Sequence, residues 1–136
     1  MKRVFVDSSG FFAFDCQDDR WHERARTFFA EADAGRWSMV TSNAVIYEVH
    51  ALLLTRMREG RRRALQFLDR LALTDVRIER VRPSDEKRAI ELLRSRHDKD
   101  YSLCDALSFV MMERLHIREA IAFDRHFRQY GQFVVL

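Results

Sequence analysis

The sequence predicts an α/β fold, a three-layer α/β/α sandwich on a mainly parallel sheet of about five strands. Two observations carry this expectation. Short runs of β-formers alternate with helix-length amphipathic stretches along all 136 residues. No tight strand–turn–strand signal such as Asn-Gly joins two neighbouring runs. Strands separated by helices pair in parallel, and the helices then lie on the faces of the sheet.

Taken in order, Arg3–Val6 reads as a strand running into Asp7-Ser8-Ser9-Gly10. Ser8 or Ser9 can cap a short helical turn carrying Phe11, Phe12 and Phe14. From Asp18 or Asp19 to about Ala34, the residues Trp21, Ala25, Phe28, Phe29 and Ala32 recur at helical spacing, and Gly35 is a natural stop. Trp37–Val40 is a second strand. Thr41-Ser42-Asn43 offers caps for a helix from Ala44 to about Met57, ended by Gly60. A further helix over Arg61–Ala72 carries Leu65, Phe67, Leu68 and Leu71. Arg77–Val81 alternates as a half-exposed strand does, and Pro83-Ser84-Asp85 opens a helix to about Arg94. A polar connector follows at 97–101, and Ser102 caps a helix to about His116. Ala120–Phe123 is a strand ending at Asp124, Arg125–Tyr130 is a turn or short helix, and Phe133–Leu136 is the last strand. No repeat, low-complexity tract or linker interrupts the chain, so residues 1–136 are expected to form a single domain.

Composition narrows the function classes. An apolar content of 47% with 33% charged residues describes a soluble globular chain, neither disordered nor fibrous. Runs such as Phe109-Val110-Met111-Met112 fall far short of the ~18–20 apolar residues that span a bilayer. Too few apolar residues separate Met1-Lys2-Arg3 from Asp7 for a signal-peptide core, so a cytoplasmic location with no membrane partner is expected. Cys16 and Cys104 fit no disulfide or zinc pattern. The net charge of +3 permits a nucleic-acid partner without demanding one. Arg56, Arg58, Arg61, Arg62 and Arg63 are opposed locally by Glu59 alone, as in a solvated helix junction or a phosphate-contacting patch.

Most acids keep polar company, but four do not. Asp7 ends Val4-Phe5-Val6. Glu48 interrupts Ala44-Val45-Ile46-Tyr47 and Val49. Asp105 lies between Leu103-Cys104 and Ala106-Leu107, and Asp124 ends Ala120-Ile121-Ala122-Phe123. An unpaired carboxylate in such surroundings costs several kcal/mol of desolvation. Each has an ordinary structural role available to it. Asp7 and Asp124 can start turns or cap helices, and Asp105 completes a near capping box with Ser102. Glu48 can be the polar edge of a helix, paired with His50 or an arginine.

Together they point further. Ligand crevices of open α/β sheets lie outside the carboxyl ends of the strands. Asp7 and Asp124 follow strands and face that edge, and the helix starts bring Glu48 and Asp105 near it. Like charges gathered there imply a cation, and oxygen donors without a His–Cys set favour Mg²⁺, with Mn²⁺ able to substitute, over Zn²⁺. Carboxylate-held metal activates water and neutralises charge on a phosphate, which suits phosphodiester hydrolysis most directly.

Four segments carry a resemblance: Val4-Phe5-Val6-Asp7-Ser8-Ser9, Thr41-Ser42 followed at Glu48, Tyr101-Ser102-Leu103-Cys104-Asp105-Ala106, and Ala122-Phe123-Asp124 followed at Phe127. In order and spacing, over essentially the whole chain, they resemble a PIN-domain ribonuclease and in particular the VapC-type toxins. The resemblance implies a metal-dependent endoribonuclease in which Asp7, Glu48, Asp105 and Asp124 are the catalytic, metal-holding acids. Asp7 would be the principal ligand, and Ser9 an auxiliary hydroxyl touching Asp7 or phosphate. It further implies RNA as substrate, a small antitoxin whose peptide occupies the acidic groove, and a homodimer. Trp21, Phe28, Phe29, Trp37 and the Leu65–Leu71 helix offer aromatic and aliphatic surface for such an interface.

One departure is that Ala122 stands where many members carry Thr or Ser two residues before the fourth acid. Asp100 reads as a connector residue, and Arg125 and His126 as solvated flanks of Asp124 with phosphate contact as their alternative role. A catalytically silent PIN-like binding module and a PIN nuclease outside a toxin–antitoxin system are the alternative readings. A response-regulator receiver fits poorly, because Arg82-Pro83 follows Val81 where a phosphorylatable aspartate belongs. A haloacid-dehalogenase phosphatase fits poorly too, because Asp7-Ser8-Ser9 is not Asp-x-Asp.

Overall fold

The computed structural model describes all 136 residues. Five strands form one wholly parallel sheet in the order β3-β2-β1-β4-β5. The strands are β1 (Lys2–Val6), β2 (Trp37–Ser42), β3 (Arg77–Glu79), β4 (Glu119–Ile121) and β5 (Val134–Val135). Between β1 and β2 lie α1 (Ser8–Asp15) and α2 (His22–Asp33). Between β2 and β3 lie α3 (Asn43–Arg56) and α4 (Gly60–Ala72). Then come α5 (Pro83–Ser95), α6 (Leu103–Arg114) and, after β4, α7 (His126–Tyr130). No helix is long and apolar enough to cross a membrane.

Parallel pairing requires a crossover between neighbours, and with the usual right-handed crossovers this strand order assigns α1–α4 to one face and α5–α7 to the other. The burial of β1 records both layers. Val4, Phe5 and Val6 point alternately to the two faces, yet all three are at 0% exposure. The core they join includes Phe11, Phe28, Val45, Val49, Leu53 and Phe67 from α1–α4, and Phe109, Met112 and Phe127 from α6 and α7. The order reverses at β1, whose two neighbours are β2 and β4, so the switch point lies between β1 and β4.

Several boundaries differ from the sequence expectation, each for a local reason. Asp7, not Ser8 or Ser9, caps α1. The α2 helix begins at His22 because Asp19 folds its carboxylate onto the Trp21 N–H (2.8 Å) and holds the preceding turn. Gly60 does not merely end α3. It is the first residue of α4, entered from Glu59 in the left-handed region (φ 55°), and a Cβ on it would lie 2.1 Å from the Leu54 carbonyl oxygen. Only a glycine lets the two helices meet that closely. The β4 strand stops at Ile121, so Asp124 follows it across a two-residue link, not directly.

The aromatic residues read as interface surface are mostly spent inside the chain. Phe28 is buried and stacks on Trp37 (5.1 Å), and Phe29 meets Phe11, Phe14 and Phe28. Of the expected surface, Leu65 on α4 is exposed, and Tyr47 and Leu54 on α3 are exposed apolar side chains outside that expectation.

Candidate active site

Asp7 is placed by three neighbouring strands. Its own strand delivers it to the sheet edge, its N–H donates to Ile121 O on β4 (3.1 Å), and the carbonyl of Val6 accepts from Thr41 Oγ1 on β2 (2.8 Å). The side chain is wholly buried. Its Oδ2 accepts from Ser9 N (3.3 Å) and Ser9 Oγ (2.9 Å) as the cap of α1, whereas Oδ1 has no hydrogen-bond partner. A buried carboxylate oxygen without a donor is rare because its desolvation is uncompensated. Burial first, then the charges of Asp124 and Asp105, push the Asp7 carboxyl from 3.8 up to about 8.

The other three acids converge on the same place. Ser42 caps α3 through Val45 N (3.2 Å), and Glu48 follows in the second turn with one carboxylate oxygen on the buried Ser8 hydroxyl. Asp105 and Ser102 form a reciprocal capping box at the start of α6, each side chain accepting from the other's N–H at 3.0 Å. Burial and Asp124 raise the Asp105 carboxyl, while the Ser102 and His126 contacts act against them. Asp124 accepts from His126 N (2.9 Å). Glu48, Asp105 and Asp124 line one cleft of about 430 Å³ together with Ser8, Ser9, Phe12, Trp21, Arg56, Phe123 and His126. Asp7 is buried outside its lining, close enough for the charges of Asp124 and Asp105 to raise its pKa.

Three of the ordinary roles weighed from the sequence are therefore real, and none exhausts its residue. Asp7 and Asp105 take part in helix caps and Asp124 starts the turn into α7, but each does so through one carboxylate oxygen. The partner foreseen for Glu48, a His50 or arginine, is instead Ser8. Ser9 is central: its hydroxyl donates to Asp7 and accepts from Phe123 N (2.8 Å), tying β1 to the segment after β4. Ala122 is fully buried and adds no hydroxyl there.

His126 is the residue that the sequence reading misplaced, and Cys104 is one to which it gave no place at the site. His126 is not a solvated flank; its Nδ1 stands 2.8 Å from Asp105 Oδ2, and its ring meets Tyr101 edge-on. Ligand atoms of Asp105, Asp124 and His126 all lie within 4.8 Å of one another. The Cys104 thiol is pushed far up by burial and then by Glu48, Asp7 and Asp105, which places it among the acids. A signal for His126 did exist: it stands two residues after Asp124, where a helix-start N–H returns to the acid. Cys104, adjacent to Asp105 on a buried helix, carried none. Arg125 reaches only the exposed Asp100 (3.9 Å), consistent with a connector role for Asp100. In the arginine cluster, Arg62 pairs with Glu59 and Arg63 bonds the Asp15 carbonyl, while Arg56 lines the cleft.

The residues present fit a divalent cation. Asp7, Asp105 and Asp124 are each fixed through one oxygen, which orients the other, and the buried Asp7 Oδ1 lacks any other counterpart. The nitrogen and sulfur nearby do not turn the site towards zinc. His126 Nδ1 is committed to Asp105, and a thiol with a raised pKa supplies no thiolate.

A family model described as PIN domain matches residues 4–132. The 23S rRNA-specific endonuclease VapC20 of Mycobacterium tuberculosis, from strains CDC 1551 / Oshkosh and ATCC 25618 / H37Rv, is 34% identical over 128 residues, 94% of either chain. The crystal structure of Mycobacterium tuberculosis VapC20, described as a sarcin-ricin loop cleaving toxin, aligns at a TM-score of 0.87 and 33% identity over 98% of both chains. VapBC2 from Rickettsia felis, solved bound to a promoter DNA fragment, aligns at 0.68 and 10% identity over 98% of this chain and 97% of that one. FitAcB from Neisseria gonorrhoeae aligns at 0.63 and 9% identity over 98% and 96%. These last two share the fold alone. With the family model spanning nearly all of it and a relative more than 30% identical over the same length, this chain belongs to the PIN-domain family.

Proposed function

We propose that residues 1–136 form one metal-dependent endoribonuclease domain, the toxin of a type II toxin–antitoxin pair. Asp7, Glu48, Asp105 and Asp124 are its catalytic, metal-holding acids, and Mg²⁺ is its ion, with Mn²⁺ able to substitute. The observation that carries this is Asp7: wholly buried, one oxygen unpartnered, and set among acids that raise its pKa. Only a cation makes such an arrangement favourable in its ionised form. The ion supplies water activation and neutralisation of charge on the phosphate. The chain supplies rigidity around it. Ser9 holds Asp7, the Ser102 N–H and His126 hold Asp105, the His126 N–H holds Asp124, and Ser8 holds Glu48.

The 34%-identical relative acts on 23S rRNA, which makes ribosomal RNA the substrate class to test first. Purified protein in Mg²⁺ or Mn²⁺ is expected to cut 23S rRNA at a defined position, read by primer extension. Chelation and Asp7→Asn should each abolish the cut. Cleavage by Asp7→Asn at the wild-type rate would end this reading. A metal concentration of 100 times Kd should stabilise the folded chain by about 2.7 kcal/mol. A melting midpoint indifferent to Mn²⁺ would favour the silent binding module.

Partners follow from the same reading: an antitoxin peptide in the acidic cleft, and a second copy on the exposed Tyr47, Leu54 and Leu65 side chains of α3 and α4. A monomer by sedimentation at micromolar concentration would remove the second copy. A neighbouring short gene for a DNA-binding antitoxin separates a toxin from a stand-alone nuclease.

A further inference from the structure

Inside the acid-lined cleft, the indole of Trp21 lies parallel to the ring of Phe123, with centroids 5.4 Å and planes 6° apart. The guanidinium of the exposed Arg20 stands 4.7 Å from the indole centroid. Both rings line the same cleft as Glu48, Asp105 and Asp124, and both remain half-exposed, so neither is consumed by the core. Their positions are fixed by polar contacts. The Trp21 N–H is held by Asp19 Oδ1, and the Phe123 N–H donates to Ser9 Oγ, the same hydroxyl that holds Asp7. A single serine thus links an aromatic face of the cleft to the buried Asp7 carboxylate.

We propose that Trp21 and Phe123 form a stacking subsite for an unpaired nucleobase of RNA beside the scissile phosphate, with Arg20 and Arg56 taking the flanking phosphates. The proposal rests on the nuclease reading and deepens it by specifying unpaired RNA. A cleft of carboxylates repels a polyanion everywhere except at its metal, so substrate must be gripped by other groups. The cleft contains two such kinds, aromatic faces and guanidinium groups. Stacking on an aromatic face is open to every base and requires that base to leave its duplex, because paired bases present only their edges. Arg20 is the movable layer, since an exposed guanidinium over an indole can yield its place to a base and turn to phosphate.

The chain has two tryptophans, and Trp37 is stacked on Phe28 outside the cleft. A Trp37→Phe background therefore makes Trp21 the only indole fluorophore. In chelator, single-stranded RNA oligonucleotides are expected to quench it, and the same strands annealed into a duplex are not. Trp21→Leu, which keeps apolar bulk at the start of α2, should weaken oligonucleotide binding by roughly 5- to 150-fold, the range for one lost base stack. Trp21→Phe should stay within about threefold of wild type. An abasic nucleotide next to the cut should weaken wild type by the same factor and Trp21→Leu hardly further. Equal abasic penalties in both proteins, or unchanged RNA affinity in Trp21→Leu, would overturn the subsite. Loss of affinity in Trp21→Leu with equal loss in Trp21→Phe would overturn it too. Cleavage assayed in parallel with Mg²⁺ keeps the two readings apart. A chain that cuts no RNA fails the nuclease reading, whereas Trp21→Leu cutting like wild type fails the subsite alone.

Discussion

Replacing Asp7 by Asn should stabilise the metal-free protein while destroying its chemistry. In the folded chain the carboxyl is pushed from 3.8 up to about 8, first by burial and then by Asp124 and Asp105. A group whose folded pKa lies above its unfolded value lends full stability below the unfolded pKa. That stability is lost as pH rises through the folded pKa. The interval from 3.8 to about 8 corresponds, at 1.36 kcal/mol per pH unit, to a ceiling of roughly 5–6 kcal/mol lost by alkaline pH. Local relaxation and water entry reduce that figure, and a realised loss of about 2–4 kcal/mol is expected. Asn keeps the α1 cap, because its carbonyl oxygen accepts from Ser9 as Asp7 does, but it carries no charge. Urea unfolding in chelator should therefore show Asp7→Asn and wild type nearly equal near pH 4, with the variant's advantage growing steadily to pH 8. Saturating Mn²⁺ should reverse the order, since only the wild type gains binding energy from the ion. A difference that does not change with pH, or a variant less stable at pH 8 in chelator, would refute the reasoning.

Three further outcomes are expected. His126→Leu removes the imidazole that stands 2.8 Å from Asp105 and should lower Mn²⁺ affinity or cleavage by about 10- to 100-fold, with His126→Asn recovering part of it; titration of activity against Mn²⁺ measures both. Asp85→Ala breaks a buried double contact to Arg114 (2.9 Å twice) and the bond to Arg82 N that opens α5, and should cost about 3–5 kcal/mol at neutral pH. Burial pushes the Asp85 carboxyl up, but the Arg114 contacts win and hold it below 3.8. Its contribution is therefore present above pH 3.8 and fades as pH falls below that, which melting at pH 3 and 7 will show. Gly60→Ala sets a Cβ against the Leu54 carbonyl at 2.1 Å and should destabilise by about 3 kcal/mol or more, read as a lower melting midpoint.

The four acids were legible before folding because each violates its surroundings. A carboxylate after Val-Phe-Val, or inside Leu-Cys-x-Ala-Leu, is costly unless something distant compensates it, and the local pattern records that cost. The sheet was legible for a related reason: strands joined only through helices have no other way to pair. What compensates each acid was not legible. Ser8 meets Glu48 across 40 residues and Ser9 meets Phe123 across 114. Such contacts depend on which strands end at the same edge, not on either residue's neighbours. The same limit made Trp21 read as interface surface, because helical periodicity shows that a ring faces inward without showing what it stacks on.

Periodicity and misplaced charge thus determined the fold class, the strand edge and the four acids, all of which are encoded within a few residues. Only the tertiary structure decided that Asp7 keeps one oxygen unpartnered, that His126 turns back onto Asp105, and that Cys104 stands among carboxylates. Those facts arise where β1, α3, α6 and the link after β4 converge. Their energies are set by burial and by charges far apart in the chain, and no local stretch contains either.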